Sequence, residues 1–203
     1  MNLVITIDDL RPSCIPLMQP LVNLHKNIPH LRLTCFVTPY WFRLPEEDIT
    51  KSNDFKQFVK DNKSWIEFGT HGLTHCNPPE NLRPFETQKI IALKAKKMME
   101  KAGLFTSIYK PPGYQFNHDT FSAILKSLFK SLVLKNTIIR RTYRNKEILH
   151  SVHLETNHLF QFHIGAPHLQ DDISNSIAHL TFLTKHNIGK YSTISEYINN
   201  KEK

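Results

Sequence analysis

The sequence predicts an α/β fold built on mainly parallel strands, arranged as either an open sheet or a barrel. Three observations carry that prediction. Short apolar, β-branched runs recur at 3–7, 33–38 and 65–70, as expected of strands buried on both faces. Segments of helical periodicity separate them, and strand–helix alternation over nearly the whole length is the pattern of parallel sheets. No linker, low-complexity stretch or internal repeat divides the 203 residues, so 1–203 is read as one domain.

In chain order, LVITI at 3–7 is a strand that Asp8-Asp9 breaks. Within 16–26, Leu17, Leu21 and Leu24 fall at helical spacing. LTCFVT at 33–38 is the second strand, stopped by Pro39. In 53–62, Phe55, Phe58 and Val59 mark a short amphipathic helix. Residues 65–70 form the third strand. The clearest helix spans 86–102, with Ile90, Ile91, Leu93, Met98 and Met99 expected inward and Gly103 as its stop. A short strand at 107–110 ends at Pro111-Pro112-Gly113. A helix over 119–128 has Asn117 as its N-cap. Further strands are expected at 131–134, 151–154, 159–163 and 191–194, and a helix over 171–185.

Apolar residues make up 40% of the chain. At this length about 70% of the unfolded surface can be buried, enough for a core without disulfides. Lys and Arg number 26 against 18 Asp and Glu, a net charge of +8. No run of five or six like charges occurs, which favours a solvated basic surface over a nucleic-acid-binding arm. An anionic glycan or phosphate-bearing partner stays open. Cys14, Cys35 and Cys76 are odd in number and form no C-x-x-C, which fits a reducing compartment rather than a disulfide scaffold. MNLVITIDDL carries no secretion-signal pattern, and no apolar run approaches the ~18 residues of a membrane span. The expectation is a cytoplasmic protein with no transmembrane segment.

Functional groups in such folds gather at the C-terminal ends of the strands. Asp8 and Asp9 follow the first strand, His71 and His75 the third, and His163 ends the strand at 159–163; Lys110 to Tyr114 lies at another strand exit. Each has an ordinary explanation alone: an Asp pair is a common turn, twelve histidines make an H-x-x-x-H by chance, and a lone histidine on an apolar strand is commonly a core residue. Their succession at strand ends is what points to chemistry. If 71–75 turns helically, both imidazoles share one face and can bind one ion. One carboxylate of the Asp pair completes a His₂Asp set with an open position for water, as a catalytic zinc site requires. The other carboxylate can take the water's proton, and His163 can protonate a leaving nitrogen. Strict strand alternation would point Asp8 and Asp9 in opposite directions, which fits a division of roles. Tyr40, Trp41 and Phe42 form either a sugar-stacking wall or part of a core or subunit contact.

This set resembles the polysaccharide deacetylases of carbohydrate esterase family four, the NodB homology family. The family's T-F-D-D motif is matched by Thr6-Ile7-Asp8-Asp9. H-[ST]-x-x-H appears as His71-Gly72-Leu73-Thr74-His75, with glycine for Ser or Thr, R-x-x-[YF] as Lys110 to Tyr114 with the tyrosine shifted, and the late histidine motif as Phe162-His163. The resemblance implies a distorted (β/α) barrel of about seven mainly parallel strands. It implies a divalent metal, usually Zn²⁺, on Asp9, His71 and His75, with Asp8 as base and His163 as acid. A backbone N–H near Gly113 and Tyr114 would help hold the oxyanion. Lys110 stands where the family has arginine, keeping the charge but losing the bidentate fork. The aspartate that tunes the family's acidic histidine has no counterpart between Asp119 and Asp171, so either Glu147 or Glu155 takes that part or nothing does.

The function expected is metal-dependent removal of an N-acetyl group from an acetamido sugar of a saccharide or envelope-polysaccharide precursor. Two others stand beside it. One is hydrolysis of small cyclic amides or ureides by the same machinery. The other is a non-enzymatic binder of anionic glycan. Nucleic acid is not an expected partner.

Overall fold

A computed structural model describes residues 2–77, 79–127, 129–134, 137–144, 146–153, 159–163, 178, 181 and 190–201. One sheet holds β1 (Asn2–Leu10), β2 (Leu33–Val37), β3 (Ile66–Thr70), β4 (Ile108–Tyr109), β5 (Ser131–Val133), β6 (Thr137–Arg144), β7 (Lys146–His153), β8 (Leu159–His163) and β9 (Lys190–Ser192). The helices are α1 (Gln19–Asn27), α2 (Asn53–Asn62), α3 (Phe85–Lys101), α4 (His118–Lys126) and α5 (Ile194–Lys201). Strand order is β7-β6-β5-β4-β3-β2-β1-β8, with β9 also paired to β1. The strands β1–β5, β8 and β9 are joined by parallel pairings. They curl into a half-barrel that stays open between β7 and β8 among the described residues.

The parallel strands are buried because both their faces meet apolar partners. On one side, Leu3, Ile5, Leu33 and Cys35 pack with Leu21, Leu24, Phe55 and Val59 of α1 and α2. On the other, Val4, Phe36, Ile108 and Val133 pack with Ile194, Tyr197 and Ile198 of α5. α5 thus fills the curl of the sheet from the end where the strands begin. Its start is fixed there by polar contacts. Glu67 Oε2 accepts from the Ser195 amide at 3.2 Å and the Thr34 hydroxyl at 2.9 Å, and Thr34 Oγ1 accepts from the Ile194 amide at 3.0 Å. The opposite end is left for the strand termini that carry Asp8, Asp9, His71, Lys110 and His163.

Two expectations change. β6 and β7 form an antiparallel hairpin appended at β5, where only a strand at 151–154 was expected. Arginines at 140, 141 and 144 interleave with Thr137, Ile138, Ile139, Thr142 and Tyr143, so the strand-forming residues there lack a clean apolar period. On α3, the buried stripe is Gln88, Ala92, Ala95 and Met99. Of the apolar residues expected inward, only Met99 is fully buried; Ile90 is 64% exposed and Leu93 39%. The helix turns its smallest side chains inward because Tyr109, Ile124, Phe129 and Leu132 already occupy that space. Asn117 caps α4 as expected, in a reciprocal capping box with Thr120, and Gly103 ends α3 at φ 84°. The helix expected over 171–185 lies almost entirely outside the described residues. No helix among the described residues is long and apolar enough to cross a membrane.

Gly69 on β3 lies against Phe36. A Cβ there would sit 2.6 Å from Phe36 Cε1 and 2.9 Å from Ile108 Cγ1. Gly69→Ala is therefore expected to lower stability by about 1–3 kcal/mol through overpacking. Denaturant midpoints at unchanged m-value measure this, and an unshifted midpoint would contradict the close approach.

Candidate metal centre and active site

The site begins with an irregularity in β1. Ile7 pairs with Cys35 and Leu10 with Val37, so three steps on β1 match two on β2. The extra residue makes a bulge, with Asp9 at φ 65°. β1 does not stop at the Asp pair, as expected, but continues to Leu10. Bulging also sets aside strict alternation, and both carboxylates reach the same end of the sheet with different partners.

Asp9 Oδ1 lies 3.4 Å from His71 Nε2 and 3.4 Å from His75 Nε2. The 71–75 segment is not a helical turn. Gly72 at φ 64° and His75 at φ 53° bend it back on itself. A Cβ at Gly72 would meet Pro112 Cγ at 2.5 Å, which explains glycine where the family motif has Ser or Thr. Glu80 holds the bend: its carboxylate accepts from the Leu73 amide at 2.8 Å, from the Thr74 amide at 2.5 Å, and from the Thr74 hydroxyl. Charge-assisted bonds of this kind are the strong ones.

These three residues fit a divalent cation. His71 Nδ1 is 3.0 Å from the Lys110 carbonyl oxygen. That oxygen can only accept, so Nδ1 carries a proton and Nε2 is the ring atom directed at Asp9 and at a metal. His71 Nε2 is buried with no hydrogen-bond partner among the described residues, an environment a bound ion would satisfy. Burial holds His75 below the ordinary imidazole pKa against the pull of Asp9, so it is neutral and able to ligate at pH 7. The three ligand atoms lie within 4.8 Å of one another. Ligands about 2.0–2.1 Å from a tetrahedral ion stand roughly 3.3 Å apart, close to both Asp9–His separations.

Asp8 serves a second centre. Its Oδ1 accepts from Lys110 Nζ at 2.8 Å, and Tyr114 Oη lies 3.5 Å from its Oδ2. Asp8 and Lys110 are 0% and 1% exposed. Burial pushes the Lys110 ammonium below the usual lysine value, and the Asp8 carboxylate opposes that. The ammonium also sits 4.9 Å over the Phe36 ring and 5.1 Å over that of Tyr114, a favourable setting for a cation. Burial and Asp8 together raise the Tyr114 phenol well above its ordinary pKa, so it stays protonated. Gly113 and Tyr114 turn the chain with φ 61° and 55°. The Tyr114 amide donates to the Pro111 carbonyl at 3.2 Å and is committed within that turn. The backbone of His163 is opposite Asp8 in the β1–β8 register. Glu147 falls on β7, while Glu155 is outside the described residues.

Three contributors carried no motif. Glu80 is one. Arg11 is another: Nη1 donates to the Asp9 carbonyl at 3.0 Å, Nε is 3.4 Å from Glu47, and the guanidinium lies 4.2 Å over Trp41. Trp41 itself packs 4.8 Å from the His75 ring and backs a metal ligand. No motif in the sequence marked Arg11 or Glu80.

No family model matches the sequence, and no curated protein matches it. Solved structures do. A peptidoglycan deacetylase, PdaC, from Bacillus subtilis superposes with TM-score 0.64 at 13% identity, over 100% of this chain and 91% of that one. A family 4 acetyl xylan esterase from Clostridium thermocellum, solved with a cobalt ion, gives 0.61 at 11% identity over 100% and 92%. A CE4 family pseudoenzyme from Bacillus anthracis gives 0.61 at 14% identity over 96% of this chain but 64% of its own. The chain has the fold of the CE4 carbohydrate esterases and polysaccharide deacetylases, the NodB-type fold.

Two outcomes test the site. His71→Ala and His75→Ala are expected to lose a loaded divalent ion on dialysis while Asp8→Asn keeps it; Glu80→Gln is expected to weaken binding about 10-fold, as loss of ligand support does. Metal analysis after dialysis decides, and full occupancy in either histidine variant would refute the ligand set. Separately, Lys110→Met leaves a buried carboxylate without its cation and is expected to cost about 3–5 kcal/mol. Chemical denaturation reads this, and a loss below 1 kcal/mol would mean that Asp8 is well solvated.

Proposed function

We propose that this protein is a metal-dependent carbohydrate N-deacetylase acting on an acetamido sugar. One observation carries the reading: a buried carboxylate fixed by a buried ammonium stands beside a separate His₂Asp ligand set, so base and ligands are distinct groups. A divalent ion on Asp9, His71 and His75, taken as Zn²⁺ from its nitrogen-rich donors, would supply Lewis acidity toward the water and the acetyl carbonyl. The CE4 fold supports the reaction class.

In this reading Asp8 takes the proton of the water that attacks the acetyl carbon. Lys110 holds that carboxylate through Oδ1, doing with one bond what the family's arginine does with two. With the Tyr114 amide committed to Pro111, the Gly113 amide is the donor proposed for the oxyanion, and the protonated Tyr114 hydroxyl flanks the base. His163, opposite Asp8 in register, is the proposed acid that protonates the departing amine. The C–N bond breaks, and acetate and a free amino sugar leave. Glu147 is the candidate to support His163.

Acetate release from a panel of acetamido sugars, with cyclic imides and allantoin as controls, tests the proposal on metal-loaded protein. Asp8→Asn and His163→Ala are expected to keep the ion but lose about 10²–10⁴-fold in turnover per folded molecule. Equal acetate release from Asp8→Asn and the unmodified protein would overturn the mechanism. Near-normal turnover in His163→Ala would remove that residue from it. Turnover of the cyclic amides alone would reassign the substrate.

A further inference from the structure

A groove of about 420 Å³ runs beside the metal loop, between the 40–43 turn and the outer face of α3. That volume lies within the range of small-molecule sites. Leu73, Thr74 and Cys76 form one wall, so the groove shares its boundary with the segment that carries His71 and His75. Arg43, Arg83 and Lys94 line it. None of the three has a hydrogen-bonding or acidic partner for its side chain among the described residues. The one acidic lining residue, Glu80, spends its carboxylate on the Leu73 and Thr74 amides and the Thr74 hydroxyl. Three cations against one committed carboxylate leave two positive charges facing a concave space.

The 40–43 turn is pre-set. Phe42 and Arg43 adopt φ 45° and 61°, conformations that cost non-glycine residues free energy and persist where surroundings enforce them. Here the Tyr40 amide donates to the Leu73 carbonyl at 2.8 Å and the Phe42 amide to that of Thr74 at 2.7 Å. These bonds attach Arg43 rigidly to the metal loop. Across the groove, exposed Ile90 and half-buried Ile91 give an apolar floor.

We propose that this groove binds a phosphate ester carried by the substrate, held by Arg43, Arg83 and Lys94. Two guanidinium groups present paired N–H donors that match phosphate oxygens. Two net positive charges suit a phosphate better than a single sugar carboxylate. The phosphate belongs either to a soluble sugar phosphate or to a sugar diester with an alkyl chain, for which Ile90 and Ile91 would be the contact. The proposal takes its substrate from the deacetylase reading, but the groove's affinity for phosphate is testable without it.

The probes are inorganic phosphate, N-acetylglucosamine 1-phosphate and its decyl diester, titrated calorimetrically into metal-loaded protein at low and high salt. Acetate release is measured on the same sugars and on unphosphorylated N-acetylglucosamine. The double variant Arg43→Ala/Arg83→Ala and the charge-keeping Arg83→Lys are compared at matched melting temperature. Salt-sensitive phosphate binding is expected in the unmodified protein. The double variant is expected to lose about 10-fold or more of it, with an equal loss in the preference for phosphorylated over neutral sugar and partial recovery in Arg83→Lys. Tighter binding of the decyl diester would identify the lipid-like source, and equal binding the soluble one. Phosphate binding without acetate release from any sugar would support the groove and overturn the deacetylase reading. Deacetylation with no preference for phosphate, or phosphate binding unchanged in the double variant, would overturn the groove assignment.

Discussion

One extra residue in β1 is the constraint on which the site depends. Without the bulge, Asp8 and Asp9 would alternate across the sheet, and one carboxylate would be turned away. With it, Asp9 meets two imidazoles while Asp8 meets an ammonium. A left-handed aspartate costs on the order of 1–3 kcal/mol, and the structure shows what opposes that cost: Arg11 Nη1 donates to the Asp9 carbonyl at 3.0 Å, with Cys14 Sγ 3.7 Å from the same oxygen. Arg11 in turn is anchored on Glu47 and Trp41. The turn after β1 and the 40–47 segment are thus supports for one peptide.

Lys110 couples the two halves of the site. Its carbonyl sets the His71 tautomer, and its ammonium binds Asp8, 102 positions earlier in the chain. A shift of β4 would disturb His71 and Asp8 together. Phe36, fixed by Gly69 on the neighbouring strand, lies under the ammonium. Core packing therefore reaches the Asp8 carboxylate through two contacts.

The parallel strands were legible because their β-branched runs have few other uses. The residues of the metal set were legible because Asp9, His71 and His75 sit in short local motifs. Geometry was less so. A bulge and a φ of 53° at His75 leave no mark in composition, so a helical turn was the natural reading of H-x-x-x-H. Glu80 supports that loop from outside the motif, through backbone amides that any residues would supply. On α3, hydrophobic size misled: Ala92 and Ala95 face inward because the space beneath is already filled by Tyr109 and Phe129, a fact of tertiary packing. The β6–β7 hairpin was hidden by its arginines, whose charge masks strand propensity.

The place of β1 in the sheet has a kinetic consequence. The first strand of the chain pairs with β8 and β9, and the contact between Thr34 and Ile194 spans 160 residues. Such closures are entropically expensive before any of them is rewarded. Until α5 arrives, Val4, Phe36 and Ile108 lack the cover that Ile194, Tyr197 and Ile198 give them inside the curl. The nascent sheet therefore waits with an apolar surface and an unpaired strand edge, the combination that favours aggregation and chaperone capture. Synthesis from the N-terminus therefore delays the cover of this surface until the last strand and helix of the sheet are made.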